Sequence, residues 1–245
     1  MWLDFQKTKS PKLKDPVMIV AVSTSMPQYR ILYSQGRQLG DYMLKKMKFE
    51  RIATIRSSAF PPEVIVRDNG ISTLPECNFS LNSDGRDLVL FTGDSSPMES
   101  QYDFARMLLD YAKDLDVKEL YSVGTRWAES PLSPDVEPEP NGFSTDKVGV
   151  AKLRRNGVKV IAEEPAPFFA SLVIGMAREY GIRGYKLSVD HGEPSPHPRS
   201  VARLLRALSA MIGFHMELDT NEQAKHDPED LEELRRDNRG SAIYR

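Results

Sequence analysis

The chain has 245 residues, of which 40% are apolar and 28% charged, with a formal net charge of −2. This is ordinary globular usage with enough apolar material for a sizeable core, and the balanced charge argues against nucleic acid or an anionic membrane as a partner. A lone cysteine, Cys77, cannot form an intrachain disulfide, the N-terminus shows no apolar signal region, and "APFFASLVIGMA" is too short to span a bilayer, so a cytoplasmic protein is expected.

Residues 1–16 contain "KTKSPKLK", a Pro-broken basic stretch without interleaved aromatics, expected to be a solvated arm. "VMIVAV" (17–22) has the continuous apolar character of a strand buried on both faces. "YSQGRQLGDYMLKKM" follows with Leu39, Tyr42, Met43 and Met47 at helical spacing. "RIATIRS" is a second strand. "PPEVIVRDNGISTLP" places strand-like runs on either side of Asp68-Asn69-Gly70, a hairpin signal expected to make the sheet mixed. "RDLVLFTG" is a third core strand, and "QYDFARMLLDYAKDL" a helix with Phe104, Leu108 and Tyr111 on one side. "KELYSVG" is a strand expected to end at Gly124.

"ESPLSPDVEPEPNG" reads as a long Pro- and acid-rich loop over the strand ends. Helix "DKVGVAKLRRNG", strand "VKVIA", helix "PFFASLVIGMAREYG", strand "YKLSVD" and helix "HPRSVARLLRALSAMIG" complete the alternation, with Gly157 and Gly181 where helix C-caps belong. Strands alternating with helices over short connections predict an α/β fold: one three-layer α/β/α sandwich, residues 17–218, on a mostly parallel, mixed sheet. From Asp219 the chain turns charged. Asp227 and Pro228 suit a helix start, giving a charged helical segment over 219–238 with Leu231 and Leu234 as a weak docking stripe, and a flexible tail over 239–245.

In order, "SSAFPPEVIVRDNG", "DLVLFTGDSSP", "KELYSVGT" and "HPRSVARLLRALSAMIGFHMELD" resemble the proteasome assembly chaperone family of the second-subunit type, over most of residues 15–220. Where that family has a glycine-rich turn after the first strand, this chain reads "STSMPQYRILYSQG". The resemblance implies a nucleoside phosphorylase-like fold and a non-enzymatic, archaeal-like homo-oligomer whose partners are proteasome core-particle α subunits. It also gives meaning to the ending. Some archaeal members finish in a hydrophobic residue, Tyr and any residue, a tail that enters pockets between α subunits; Ile243-Tyr244-Arg245 fits that pattern. A terminal carboxylate can pair with a receptor lysine, while the tyrosine ring supplies apolar area with little rotamer entropy to lose.

Chemistry-bearing residues elsewhere are weighed against plainer roles. Asp94-Ser95-Ser96 and Arg126 follow strands and would together suit a phosphate; the simpler expectation is that Asp94 caps the next helix and Arg126 pairs with a loop carboxylate. Asp190, His191, Glu193 and His197 in "DHGEPSPHP" lack a metal-site frame and read as a loop before a helix. No nucleophile elbow or phosphate loop occurs, and Cys77 stands in no reactive signature. The expectation is therefore no catalytic residue, metal or cofactor. The competing reading is a phosphorylase- or hydrolase-type enzyme acting on a small phosphorylated or nucleoside-like molecule.

Overall fold

Strand-forming runs of five or more apolar or β-branched residues have nowhere to lie but between two layers of helix. The computed structural model shows that arrangement, and describes residues 1–26, 31–33, 35–67, 69–127, 139–191 and 200–216. The elements in chain order are β1 (Leu3–Lys7), β2 (Val17–Ala21), β3 (Thr24–Met26), β4 (Ile31–Tyr33), α1 (Gln35–Lys46), β5 (Glu50–Ser57), β6 (Ile65–Val66), β7 (Ser72–Thr73), β8 (Cys77–Asn82) and β9 (Leu88–Gly93). After these come α2 (Gln101–Asp114), β10 (Glu119–Trp127), β11 (Pro140–Ser144), α3 (Lys147–Arg155), β12 (Lys159–Val160), α4 (Phe169–Ala177) with a 3-10 turn to Tyr180, β13 (Arg183–His191) and α5 (Ser200–Ile212).

Among the described residues the main sheet has nine strands in the order β1-β5-β8-β9-β2-β10-β13-β11-β12. Its centre, β9-β2-β10-β13, is parallel. In β2, Met18 and Val20 join the core beneath α2 and α4, while Val17, Ile19 and Ala21 join the core beneath α1 and α5. Both faces of the sheet are thus sealed by helices, and the chain is a three-layer α/β/α sandwich. The helical stripes read from sequence are the buried ones: Leu39 and Met43 in α1, and Phe104, Leu108 and Tyr111 in α2. Asp146 caps α3 by accepting a hydrogen bond from the Gly149 backbone N–H. Gly157 and Gly181 take positive φ of 71° and 70°, and the next residues, Val158 and Ile182, donate back to Leu153 and Ala177 across the helix ends.

Three expectations are corrected. The 65–73 hairpin forms a separate two-stranded ribbon, so it is not what mixes the sheet. The antiparallel pairings come from β1-β5, β5-β8 and β8-β9 on one side and β11-β13 on the other. The stretch read as a long loop ends in strand, because Pro140–Ser144 pairs with β13. Gly124 does not end its strand; β10 runs on to Trp127, and a Cβ at Gly124 would lie 2.9 Å from the Lys186 Nζ. Here glycine marks a close approach.

Within the N-terminal arm, residues 3–7 are the edge strand β1, and Phe5 packs edge-on to Tyr111 with ring centroids 4.9 Å apart and lies 6.2 Å from Phe79. Phe5→Ala is expected to lower stability by about 1–2 kcal/mol, less than a fully buried aromatic because Phe5 is only partly covered. Urea unfolding checks this; a wild-type midpoint would return those residues to a solvated arm.

Candidate functional site

In a parallel sheet the carboxyl ends of the strands are where polar side chains can converge without disturbing the core. At the end of β9, Asp94 is 9% exposed and accepts a forked pair from Arg67, Nη1 to Oδ1 at 3.1 Å and Nη2 to Oδ2 at 2.8 Å. Arg37 of α1 donates to the Asp94 backbone carbonyl at 2.9 Å. Beside it Glu76 accepts from Arg56 through Nε at 3.2 Å and Nη2 at 3.0 Å, with Arg51 at 3.7 Å. These four arginines, with Asp41, Glu76 and Asp94, line an open cleft of about 440 Å³ between α1, the outer strands and the hairpin. Asp94 therefore ties the hairpin to the sheet and does not cap α2. That helix is preceded by Ser100 at φ 46°, with no side-chain cap bond.

Arg126, at the end of β10, belongs to a different cluster. It holds Glu164 with Nε at 2.9 Å and Nη2 at 3.0 Å, and donates Nη1 to Asp190 at 2.8 Å. The loop carboxylate expected for it is Glu164, whose pKa the guanidinium lowers. Asn141 donates to the same Asp190 oxygen at 2.6 Å, and Ser188 to Asn141 Oδ1 at 2.6 Å. Asp94 and Arg126 thus engage separate partners and frame no joint phosphate pocket. Asp190 is engaged by cation and amide; the His191 side chain, Glu193 and His197 lie outside the described residues. Cys77 is buried, and burial, helped by the nearby Asp94 and Glu76 carboxylates, pushes its thiol pKa well up. That disfavours the reactive thiolate. Ile243, Tyr244 and Arg245 also lie outside the described residues.

Two polar features were missed from sequence. Lys186 is buried in β13, and among the described residues its Nζ donates to the Leu187 carbonyl at 3.0 Å. On the opposite face Glu119 accepts from Lys152, at 3.0 and 2.9 Å, and from the hydroxyls of Tyr185 and Tyr121 at 3.0 and 3.1 Å. Alternation in "YKLSVD" was the available signal, since it sends Tyr185 and Lys186 to opposite faces of one buried strand.

The family model described as the PAC2 family matches residues 34–234. The chain belongs to the PAC2 family. No curated protein matches this PAC2 sequence. Among solved structures, it is similar to Pyrococcus furiosus PbaB, an archaeal proteasome activator, at TM-score 0.75 and 19% identity over 96% of this chain and 98% of that one. It is similar to Pyrococcus furiosus PbaA, an archaeal homolog of proteasome-assembly chaperone, at TM-score 0.71 and 18% identity over 96% and 95% of the two chains. A proteasome-assembly chaperone homologue of Mycobacterium tuberculosis gives TM-score 0.67 and 16% identity over 93% and 96%. At such identities these likenesses establish the fold. The PAC2 fold is shared across nearly the whole length of each.

Proposed function

We propose that this PAC2 protein is a non-enzymatic, proteasome assembly chaperone-like factor that binds core-particle α subunits through Ile243-Tyr244-Arg245, with Arg245 carrying the terminal carboxylate. The observation that supports this most is the PAC2 match over residues 34–234, on a fold shared with an archaeal proteasome activator and with chaperone homologues. Ile243 fills a small apolar recess, Tyr244 anchors with its ring and hydroxyl, and the carboxylate meets a lysine of the receptor. One tail binds weakly, so the reading requires a homo-oligomer that presents several tails to a ring of pockets. A strictly monomeric protein by light scattering at micromolar concentration would count against it.

The deciding experiment is recovery of core-particle α subunits by the intact chain and by one lacking the last three residues. Equal recovery removes the tail from the mechanism. Within this reading Tyr244→Ala is expected to weaken binding by more than about tenfold, since truncating an aromatic anchor commonly costs about 2 kcal/mol or more. One residue added after Arg245 should do comparable harm, while Arg245→Ala should matter less. Affinity measurements beside thermal melts separate these effects from misfolding.

A further inference from the structure

The arginine cleft plays no part in the tail reading. Its cations come from three places: Arg37 on α1, Arg51 and Arg56 on β5, and Arg67 just after β6. Their side chains are 39–58% exposed, whereas two of the three carboxylates between them, Asp94 and Glu76, are 9% and 15% exposed. The negative charge is mostly floor and the positive charge mostly rim. Among the described residues, the rim carries these four guanidiniums beside two carboxylates that reach solvent, Asp41 and Asp4, the latter 3.9 Å from Arg56, so positive charge predominates where a partner would touch. The buried carboxylates also fix the guanidiniums before any partner arrives, which reduces the ordering cost of binding.

The ribbon that supplies Arg67 is also apolar and exposed. Val64, Val66, Ile71 and Leu74 are 57%, 65%, 61% and 52% exposed and lie on or beside β6 and β7, which form a two-stranded sheet of their own. Thr73 of the same ribbon lines the cleft, so apolar ribbon and cationic rim are contiguous. Exposed apolar groups beside oriented cations are the composition of an interaction surface.

We propose that the cleft and the β6–β7 ribbon form one docking surface for an acidic peptide segment of a protein partner, with its carboxylates along the arginine rim and its apolar side chains on the ribbon. Charge complementarity selects the acidic segment. The openness of the cleft and the apolar ribbon beside it favour an extended chain that carries both carboxylates and apolar side chains over a small anion, which has nothing to place on the ribbon. The surface is independent of Ile243-Tyr244-Arg245, so either can fail without the other.

The test is fluorescence anisotropy on the full chain, with a labelled peptide alternating Glu and Leu as the probe. Binding is expected, weakening several-fold as salt is raised well above the physiological range, because the rim charges are solvent-exposed. Arg51→Gln with Arg67→Gln should reduce affinity by about tenfold, and Val66→Ser with Leu74→Ser by about fivefold, the scale of losing a few rim or anchor contacts. Arg51→Gln alone is the variant that protects the test against misfolding, because Arg51 is the most exposed of the four and its contact with Glu76, at 3.7 Å, is longer than those that Arg56 and Arg67 make with the cleft floor. It should weaken binding several-fold with a nearly unchanged melt. Three results would overturn the proposal: equal binding of a Lys-Leu peptide, unchanged affinity in all the variants, or full displacement of the probe by millimolar inorganic phosphate. Removing the last three residues should leave the affinity as it was, and a loss on that truncation would equally overturn it.

Discussion

Lys186→Met is expected to make the protein more stable at pH 7, by about 3–5 kcal/mol. The amine lies inside the α4 side of the sheet with the Leu187 carbonyl as its acceptor, and among the described residues no carboxylate pairs with it. Burial alone lowers its pKa from 10.5 to about 7. On unfolding the amine recovers its ordinary basicity, so the unfolded chain binds the extra proton between those two values. Each pKa unit is worth about 1.4 kcal/mol, which gives the expected scale. The lost hydrogen bond to Leu187 costs about 1 kcal/mol of the gain. The sign of the pH effect follows from the same difference. In the wild type this contribution makes stability rise from pH 7 towards pH 10.5, as the unfolded state gives up its proton. Below pH 7 both states are protonated and the penalty is constant. Urea unfolding of both proteins at about pH 7 and at about pH 9.5 checks this: the advantage of the methionine variant should shrink at the higher pH. A variant less stable than wild type, or an advantage independent of pH, would contradict the assignment.

That lysine also shows where sequence reading reaches its limit. The runs at 17–22, 51–57 and 86–93 were legible because continuous apolar or β-branched character needs cover on both faces, and β2, β5 and β9 lie on those runs. The helices were legible because Leu39 and Met43, or Phe104 and Leu108, recur at the spacing of one buried stripe. β8 was not read, although Cys77, Phe79 and Leu81 alternate with polar residues as a one-sided strand should. β11 carried contrary local signals, Pro140, Asn141 and Gly142, and is fixed by distant partners: the β13 backbone, and the Asn141 side chain between Ser188 and Asp190. The cleft was hidden for the same reason. Its arginines are spread over residues 37–67 on three elements, and only the pairing of β5 with β8 and β8 with β9 brings them to Glu76 and Asp94. Arg126 was the easier case, because a cation at a strand end needs a carboxylate partner, although the fold supplies distant ones, Glu164 and Asp190.

Glu119→Gln is expected to act in the opposite direction to the lysine substitution, destabilising by about 2–4 kcal/mol. The carboxylate is 15% exposed and holds Lys152 with both oxygens while accepting from Tyr121 and Tyr185, whose rings stack with centroids 4.5 Å apart. Lys152 also donates to the Tyr121 hydroxyl at 2.7 Å and Arg86 lies 3.9 Å from the carboxylate, so two cations and two phenols share Glu119 at the start of β10 and β13. An amide keeps the shape but leaves the ammonium, 22% exposed, without its counter-charge. Breaking one partner of a largely buried pair is much worse than never having had the pair. The double variant Glu119→Gln with Lys152→Met should therefore recover part of the loss, and a double-mutant cycle measures the coupling. The pH dependence has a definite sign here as well. Burial pushes the Glu119 pKa up, but the Lys152 ammonium and the two tyrosine hydroxyls outweigh it and hold the net value below the ordinary 4.5. Stability from this group is thus fully present above pH 4.5 and is lost as pH falls through the depressed folded value. The glutamine variant should lack that acid-dependent step while being weaker at neutral pH. The phenols add an alkaline limit: burial and the Glu119 charge raise both tyrosine pKa values, so the unfolded chain ionises first and stability falls above about pH 10. Equal unfolding midpoints for wild type and Glu119→Gln at pH 7 would mean that the network contributes no net stability and that packing of the stacked rings alone holds this end of the sheet.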